Sequence, residues 1–426
     1  MTKLTKTISR RIFLASGAAT LAAPAILRSS RAYAQNPTLK IGHISPRSGP
    51  LAAFAEADEY VLKAISDMFS AGLENNGKKW SVEIISKDSQ SNPNRAAEVA
   101  SDLILGDEVD IIVAASTPDT TNPVADQAEI NGVPCITTDC PWQPYFFGRN
   151  GVPGEGFENT YHFFWGLEDV IGAFLDMWGQ ADTNKKIGCL FPNDADGNAW
   201  AHPELGLPKP LMDAGYELTI PGQYQPPSDD FSSQIQAFKE TGCDIITGNQ
   251  IPPDFGTFWA QAAQQGFNPK IVTIGKALLF PSVVNSFGDR GDGLSSEVWW
   301  SPNHPFSSSL TGSSAKELAD GYTADTGRPW TQPIGFKHAL FEVAADVVRR
   351  SADLEDPEAI VEAIKTTSLN TIVGEIDWSK GPINNVTKTP LVSGQWQKDG
   401  DTLDLKIVAN GAAPNIPLTG ELKMIG

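Results

Sequence analysis

The sequence predicts an α/β protein built as two similar lobes, each a parallel sheet flanked by helices. Three observations carry this expectation. Short β-branched runs alternate with amphipathic stretches along most of the chain, the pattern of a parallel sheet covered on both faces. The alternation comes in two series, separated by an irregular Pro- and Gly-rich stretch at 141–160. The chain has 426 residues, and the 392 that follow an N-terminal leader are enough for two cores.

The leader is read from residues 1–34. Lys3, Lys6, Arg10 and Arg11 form a basic head, followed by an apolar segment at 12–26 that is too short for a stable membrane span. Ala32-Tyr33-Ala34 has the form of a cleavage site, so the mature chain is expected to begin at Gln35. Ser9-Arg10-Arg11-Ile12-Phe13-Leu14 resembles the twin-arginine export motif. These features predict export, most simply to a bacterial periplasm. The leader carries six basic and no acidic residues, so its removal takes the net charge from −19 to −25. That balance argues against a nucleic-acid partner, whose phosphates would be repelled. It does not select a small ligand.

In order, a strand is expected at 39–44, a turn-rich loop at 45–50, a helix at 51–71, a strand at 80–87 and a helix opened by Asn92-Pro93. Asp110-Ile111-Ile112-Val113 reads as a buried strand that runs into Ala114-Ala115-Ser116-Thr117. Pro118 then breaks the chain, and Asp119, Thr120 and Thr121 offer caps to a helix closed by Asn131-Gly132. Val133-Pro134-Cys135-Ile136 begins another strand, ending in Thr137-Thr138-Asp139-Cys140. Two hydroxyl-rich strand ends thus lie side by side with a helix N-terminus between them. In open parallel sheets ligands bind beyond the carboxyl ends of strands, and helix N-termini attract carboxylates. The same residues also serve as plain caps and loops.

The aromatics of 141–160, with Trp142 first, would be costly to leave in water. Residues 161–165 read as a buried strand. A second series follows, with strands at 186–191, 216–220, 244–247 and 270–274 and helices at 168–179, up to 214, 230–241 and 255–265. Further on come a strand at 296–300, helices at 314–326, 334–350 and 357–366, and strands at 391–396 and 403–408.

Catalytic and metal motifs are not found. The five histidines are scattered, without an H-E-x-x-H, and no G-x-S-x-G elbow or phosphate-binding loop occurs. Asp194 and Asp196 read as turn chemistry rather than a calcium loop. Cys135, Cys140, Cys189 and Cys243 form no C-x-x-C pair; the first two could pair in an oxidising compartment, and buried thiols are expected for the others. No cofactor or metal is expected.

The chain resembles the periplasmic solute-binding proteins of ABC transporters, leucine/isoleucine/valine-binding type. The resemblance rests on Ile41-Gly42-His43-Ile44-Ser45-Pro46-Arg47-Ser48-Gly49, on Asn122-Pro123-Val124-Ala125 with Gly132-Val133-Pro134, and on Gly374-Glu375-Ile376-Asp377-Trp378. It implies two Rossmann-like lobes joined by a three-crossover hinge, with crossings near 157–165, 298–302 and 376–378. Lobe 1 is then 35–160 with 299–376, and lobe 2 is 161–298 with 377–426. A small ligand would sit between the lobes for delivery to an ABC permease, the receptor acting as a monomer and not as an enzyme. An exported enzyme or a sensor of the same fold are the rival readings.

Site residues implied in lobe 1 are Ser116, Thr117, Pro118, Asp119, Thr120, Thr138, Asp139 and Cys140. In lobe 2 they are Asp196, Trp200, Gln250 and Asp254, and the aromatics Trp142 and Trp165 offer stacking faces. Amino-acid binders of the family carry an acid after the next strand, to pair with the ammonium. Here that position reads Gly275-Lys276-Ala277. A lysine there favours an anion, so a carboxylate with an apolar or aromatic body is expected in preference to a free branched-chain amino acid.

Overall fold

A computed structural model of the chain describes residues 36–400 and 402–425. The leader expected at 1–34 lies outside the described residues.

The first strands are β1 (Thr38–Ser45), β2 (Leu73–Asn75), β3 (Lys78–Asp88), β4 (Ile111–Ala115), β5 (Cys135–Thr138) and β6 (Thr160–Phe163). The second series gives β7 (Lys186–Leu190), β8 (Glu217–Thr219), β9 (Ile245–Gly248), β10 (Ile271–Ile274) and β11 (Leu294–Val298). A hairpin of β12 (Ser368–Thr371) and β13 (Gly374–Asp377) follows, then β14 (Val386–Thr387), β15 (Val392–Asp399) and β16 (Thr402–Ala409). Two seven-stranded sheets result, ordered β14-β6-β5-β4-β1-β3-β2 and β16-β15-β11-β10-β9-β7-β8. Pairing is parallel except at β2, β15 and β16. Central strands such as Ile111-Ile112-Val113 and Ile245-Ile246 are buried on both faces, which is why their sequences read as unbroken apolar runs rather than alternating ones.

Two lobe boundaries shift from the sequence expectation. β6, taken as the first element of the second lobe, pairs with β5 through Cys135↔Thr160 and Ile136↔Tyr161. The Pro- and Gly-rich stretch before it is therefore a connection within lobe 1, not a passage between lobes. It folds on its own aromatics: Tyr145 and Phe146 are buried, and Arg149 stacks on Phe157 at 4.0 Å while donating to Tyr145 and Asp126. At the other end, β14 pairs with β6, so the third crossing lies between β14 and β15 and not at 376–378. The chain thus crosses at 164–166, 299–301 and 388–391.

The helix expected at 51–71 is broken. A 3-10 turn, Ala52–Ala55, precedes the helix Asp58–Phe69. The break turns Phe54 toward the other lobe, where it meets Phe280 edge-on at 4.9 Å. The helix Pro333–Arg350 packs on β2, β4 and β5, with all but a few of its residues buried. Its Lys337 lies 3.5 Å from buried Asp58 and donates to Ser45 Oγ at 2.9 Å. At the second crossing, the Gln332 amide donates to the Glu297 carbonyl at 3.1 Å and accepts from the Trp299 N–H at 2.9 Å, clamping the hinge strand to this helix. All four cysteines are buried and unpaired, so Cys135 and Cys140 form no bridge. Among the described residues, no helix is long and apolar enough to cross a membrane.

Candidate functional site

The carboxyl ends of both sheets face each other across a narrow cleft. Its walls are Phe54, Thr117, Pro118, Asp139, Cys140, Pro141, Phe164 and Trp165 from lobe 1 and the hinge, and Asp196, Trp200, Lys276, Leu279, Glu297 and Trp299 opposite. The space enclosed among these side chains is about 20 Å³, room for about one water. The lobes are tied across the cleft mouth by the Ala195 N–H donating to Asp119 at 3.1 Å and by Ser282 Oγ donating to Glu56 at 2.5 Å. A larger groove of about 940 Å³ lies elsewhere, walled by Glu155, Tyr161, Glu362 and Trp378. It sits at the amino ends of β5 and β6, away from the strand ends where the two sheets converge.

On the lobe 1 side, Ser116 leaves β4 with φ 144° and Thr117 is extended at the N-cap of the helix Pro118–Asn131. The Ser116 and Thr117 hydroxyls are buried without a hydrogen-bond partner in the protein. Asp139 follows β5 in the left-handed region, φ 66°, a conformation Asp tolerates better than most residues. Both its carboxylate oxygens are buried and lack a donor. Burial pushes its pKa up to about 7, a rise that Lys337 limits and Asp58 reinforces. Behind this loop, His162 Nε2–H donates to the Cys140 carbonyl at 2.8 Å and the ring stacks on Tyr145, fixing where the loop runs. Burial keeps that imidazole neutral, with its pKa pushed down to about 3.

In lobe 2, Asp194 caps the helix Ala195–Trp200, accepting from the Gly197 N–H at 2.6 Å. Lys276, in a left-handed turn after β10, places Nζ 3.2 Å from Asp194 and 3.0 Å from Asp196. All three are substantially buried. Burial opposes the lysine's charge, but Asp194 and Asp196 outweigh it and hold its pKa above the usual value. The charge of Lys276, expected to favour an anionic ligand, is shared between two carboxylates in this structure. Asp119 completes this group from the opposite lobe. Burial first, then Asp194, pushes its pKa up to about 6.

Glu297 was not singled out from sequence. It is buried at the end of β11, accepts from Ser296 Oγ at 2.8 Å, and has its pKa pushed up to about 7 by burial. Gly275 makes room for it: a Cβ there would lie 3.0 Å from the Trp200 ring and 3.3 Å from Glu297 Oε1. The available signal was a lone acid in an otherwise apolar and hydroxyl run, Leu294-Ser295-Ser296-Glu297-Val298. Phe54, Phe164 and Trp299 were likewise missed as wall residues. The indole N–H groups of Trp165, Trp200 and Trp299 are buried without acceptors in the protein.

Of the residues proposed from sequence, Thr117, Pro118, Asp139, Cys140, Trp165, Asp196, Trp200 and Lys276 line the cleft. Ser116 and Asp119 stand next to it. Others are directed elsewhere. Thr138 Oγ1 donates to the Phe163 carbonyl at 2.6 Å, joining β5 to β6, and Thr120 Oγ1 turns back to the Thr117 carbonyl at 3.5 Å. Trp142 is partly exposed beside the hinge, with Nε1 donating to Glu168 at 3.1 Å. Asp254 accepts from the Ser228 N–H at 3.0 Å inside lobe 2. Gln250 is fully buried after β9 and its amide has no partner in the protein, but it is not among the residues that line the cleft. No group of three or more potential metal ligands converges among the described residues.

The fold has many relatives among solved structures. A branched-chain amino acid substrate-binding protein, LivJ from Streptococcus pneumoniae in complex with isoleucine, superposes with a TM-score of 0.69 at 17% identity, covering 87% of this chain and 99% of that one. The leucine-binding protein LivK from Thermotoga maritima gives 0.69 at 20% identity, covering 88% and 99%. An ABC-transporter solute-binding protein from Rhodopseudomonas palustris in complex with 3,4-dihydroxybenzoic acid gives 0.71 at 19% identity, covering 89% and 99%. Among curated protein sequences none is similar enough to count as a match. The family model described as periplasmic binding protein matches residues 38–401, so the chain belongs to the periplasmic binding protein family.

Proposed function

We propose that this protein is a receptor that takes a small organic solute between its lobes and hands it, chemically unchanged, to the permease of an ABC transporter. One observation carries the reading. Aromatic walls and buried polar groups without protein partners converge where the carboxyl ends of two sheets meet. Buried polar atoms are otherwise nearly always hydrogen-bonded, and leaving one unpaired costs about 1–3 kcal/mol. A solute that meets the Thr117 hydroxyl and the indole N–H groups recovers that cost and gains the burial of its apolar body. Trp165, Trp200 and Trp299 suit a flat aromatic or apolar body. Relatives of the same fold hold isoleucine and 3,4-dihydroxybenzoic acid, ligands with such bodies.

The cleft as folded has room for about one water, so entry requires the lobes to part at the Asp119–Ala195 and Glu56–Ser282 contacts. A solute that contacts both walls favours the closed arrangement, which a permease can then recognise. The leader motif at 9–14 supports export by the twin-arginine route and action in the periplasm. Thermal-shift screening of the mature protein against small organic solutes tests the reading. Stabilisation by an aromatic or apolar solute, lost in Trp200→Ala, is the expected result. Conversion of the bound solute into a product, followed by mass spectrometry, would overturn it in favour of an enzyme.

A further inference from the structure

The charge of the solute can be inferred from the cleft walls, taking the reading of the cleft as the solute site as given. Asp139, Asp196 and Glu297 line it as acids, and Lys276 is the one basic side chain among them. Lys276 shares its charge between Asp196 and Asp194, at 3.0 and 3.2 Å. Lys337, behind Asp139, is bound up with Asp58 and Ser45. Asp139 is thus a buried carboxylate on lobe 1 whose oxygens have no hydrogen-bond partner, and Glu297 lines the lobe 2 wall, stabilised by Ser296 Oγ and by the backbone N–H groups of Glu297 and Lys276. Around them stand three tryptophans and two phenylalanines.

We propose that the solute is a cation, an amine or alkylated ammonium on an apolar or aromatic body, whose charge sits among Asp139, Glu297 and the tryptophan faces. An ammonium in an aromatic enclosure is attracted to the negative faces of the rings, and most strongly to Trp. Closing the lobes over a cation neutralises carboxylates that would otherwise be buried as like charges. Closing them over a carboxylate adds another negative charge to the same space. The unpartnered indole N–H groups call for an acceptor too, and a hydroxyl or ether oxygen on the solute meets them without a second charge.

Three probes that share a hydroxyphenyl ring and differ in charge test this: tyramine, tyrosine and 4-hydroxyphenylacetate, titrated calorimetrically into the mature protein. Tyramine is expected to bind at least ten-fold more tightly than 4-hydroxyphenylacetate at pH 7.5, with tyrosine between. Its affinity should fall as the pH is lowered from 8 to 5.5, because protons compete for the same carboxylates. Glu297→Gln, nearly isosteric, should weaken tyramine at least ten-fold, with circular dichroism confirming the fold. Tightest binding by 4-hydroxyphenylacetate or tyrosine, or an affinity for tyramine that rises on acidification, overturns the cation proposal and leaves the receptor reading intact. The pH slope decides even if Glu297→Gln fails to fold. Absence of binding by all three overturns the aromatic-solute receptor reading itself, and the cation proposal with it.

Discussion

Replacing Lys276 with Met probes the charge arrangement on the lobe 2 wall. The lysine Nζ lies 3.0 Å from Asp196 and 3.2 Å from Asp194. Methionine preserves most of the stem and removes the charge. Removing one partner of a buried ion pair typically costs about 3–5 kcal/mol, because the other charge stays buried and unpaired. Proton uptake sets a ceiling. Neutralising a carboxyl of ordinary acidity costs about 1.4 kcal/mol per pH unit above its pKa, roughly 4 kcal/mol at pH 7 and roughly 1.5 kcal/mol at pH 5. Burial already raises the Asp196 pKa, which lowers that ceiling further. The expected loss is therefore about 3 kcal/mol near neutrality, at the low end of the range for such pairs, and it shrinks on acidification. Lys276, its pKa raised, stays protonated throughout this window and contributes evenly in the parent protein. Urea unfolding of both proteins, followed by far-ultraviolet circular dichroism at pH 7.5 and pH 5, gives the difference directly. Equal stability at pH 7.5, or a loss of the same size at both pH values, refutes the reasoning.

Stability against pH should peak near pH 7. Asp119, Asp139 and Glu297 have folded pKa values raised to about 6, 7 and 7, so the folded state gains relative to the unfolded as pH falls through 7. His43, His162, His304 and His338 are depressed to between about 3 and 4, so each costs stability once the unfolded chain begins to protonate near 6.5. A melting temperature still climbing from pH 7 to 8 contradicts these signs. Thr138→Val should cost about 1–3 kcal/mol by leaving the Phe163 carbonyl short of its donor, with solute affinity unchanged. Loss of affinity at full stability would put that hydroxyl in the cleft instead. Gln332→Leu should cost roughly 2–5 kcal/mol, since two buried hinge groups, the Glu297 carbonyl and the Trp299 N–H, lose their partner together. Unfolding curves that overlay the parent's would show that the clamp is dispensable.

Much of the fold was legible because each central strand is an apolar run that ends in small or hydroxyl residues, as Ile111 to Thr117 do. The lobe boundaries were not. Whether β6 joins the first sheet or the second depends on a partner strand, and β14 is only two residues long, too short for any periodicity. The same division holds at the cleft. Thr117, Asp139 and Trp200 follow strand ends and could be placed from local sequence. The partners of Lys276 could not, because Asp194 is 82 residues away and meets it only once β7, β9 and β10 align in register. Glu297 was hidden within a strand, and nothing local shows that Gly275 opens space beside it. The hydroxyls of Thr120 and Thr138 looked like ligand groups by residue type but serve backbone carbonyls.

The central claim is that one small solute is gripped between the lobes. The most direct test is a crystal structure of the mature protein with a solute that raises its melting temperature. The account predicts density touching Thr117 and Asp139 on one wall and Trp200 and Glu297 on the other. Density outside the cleft, for instance in the groove beside Tyr161 and Trp378, would contradict it.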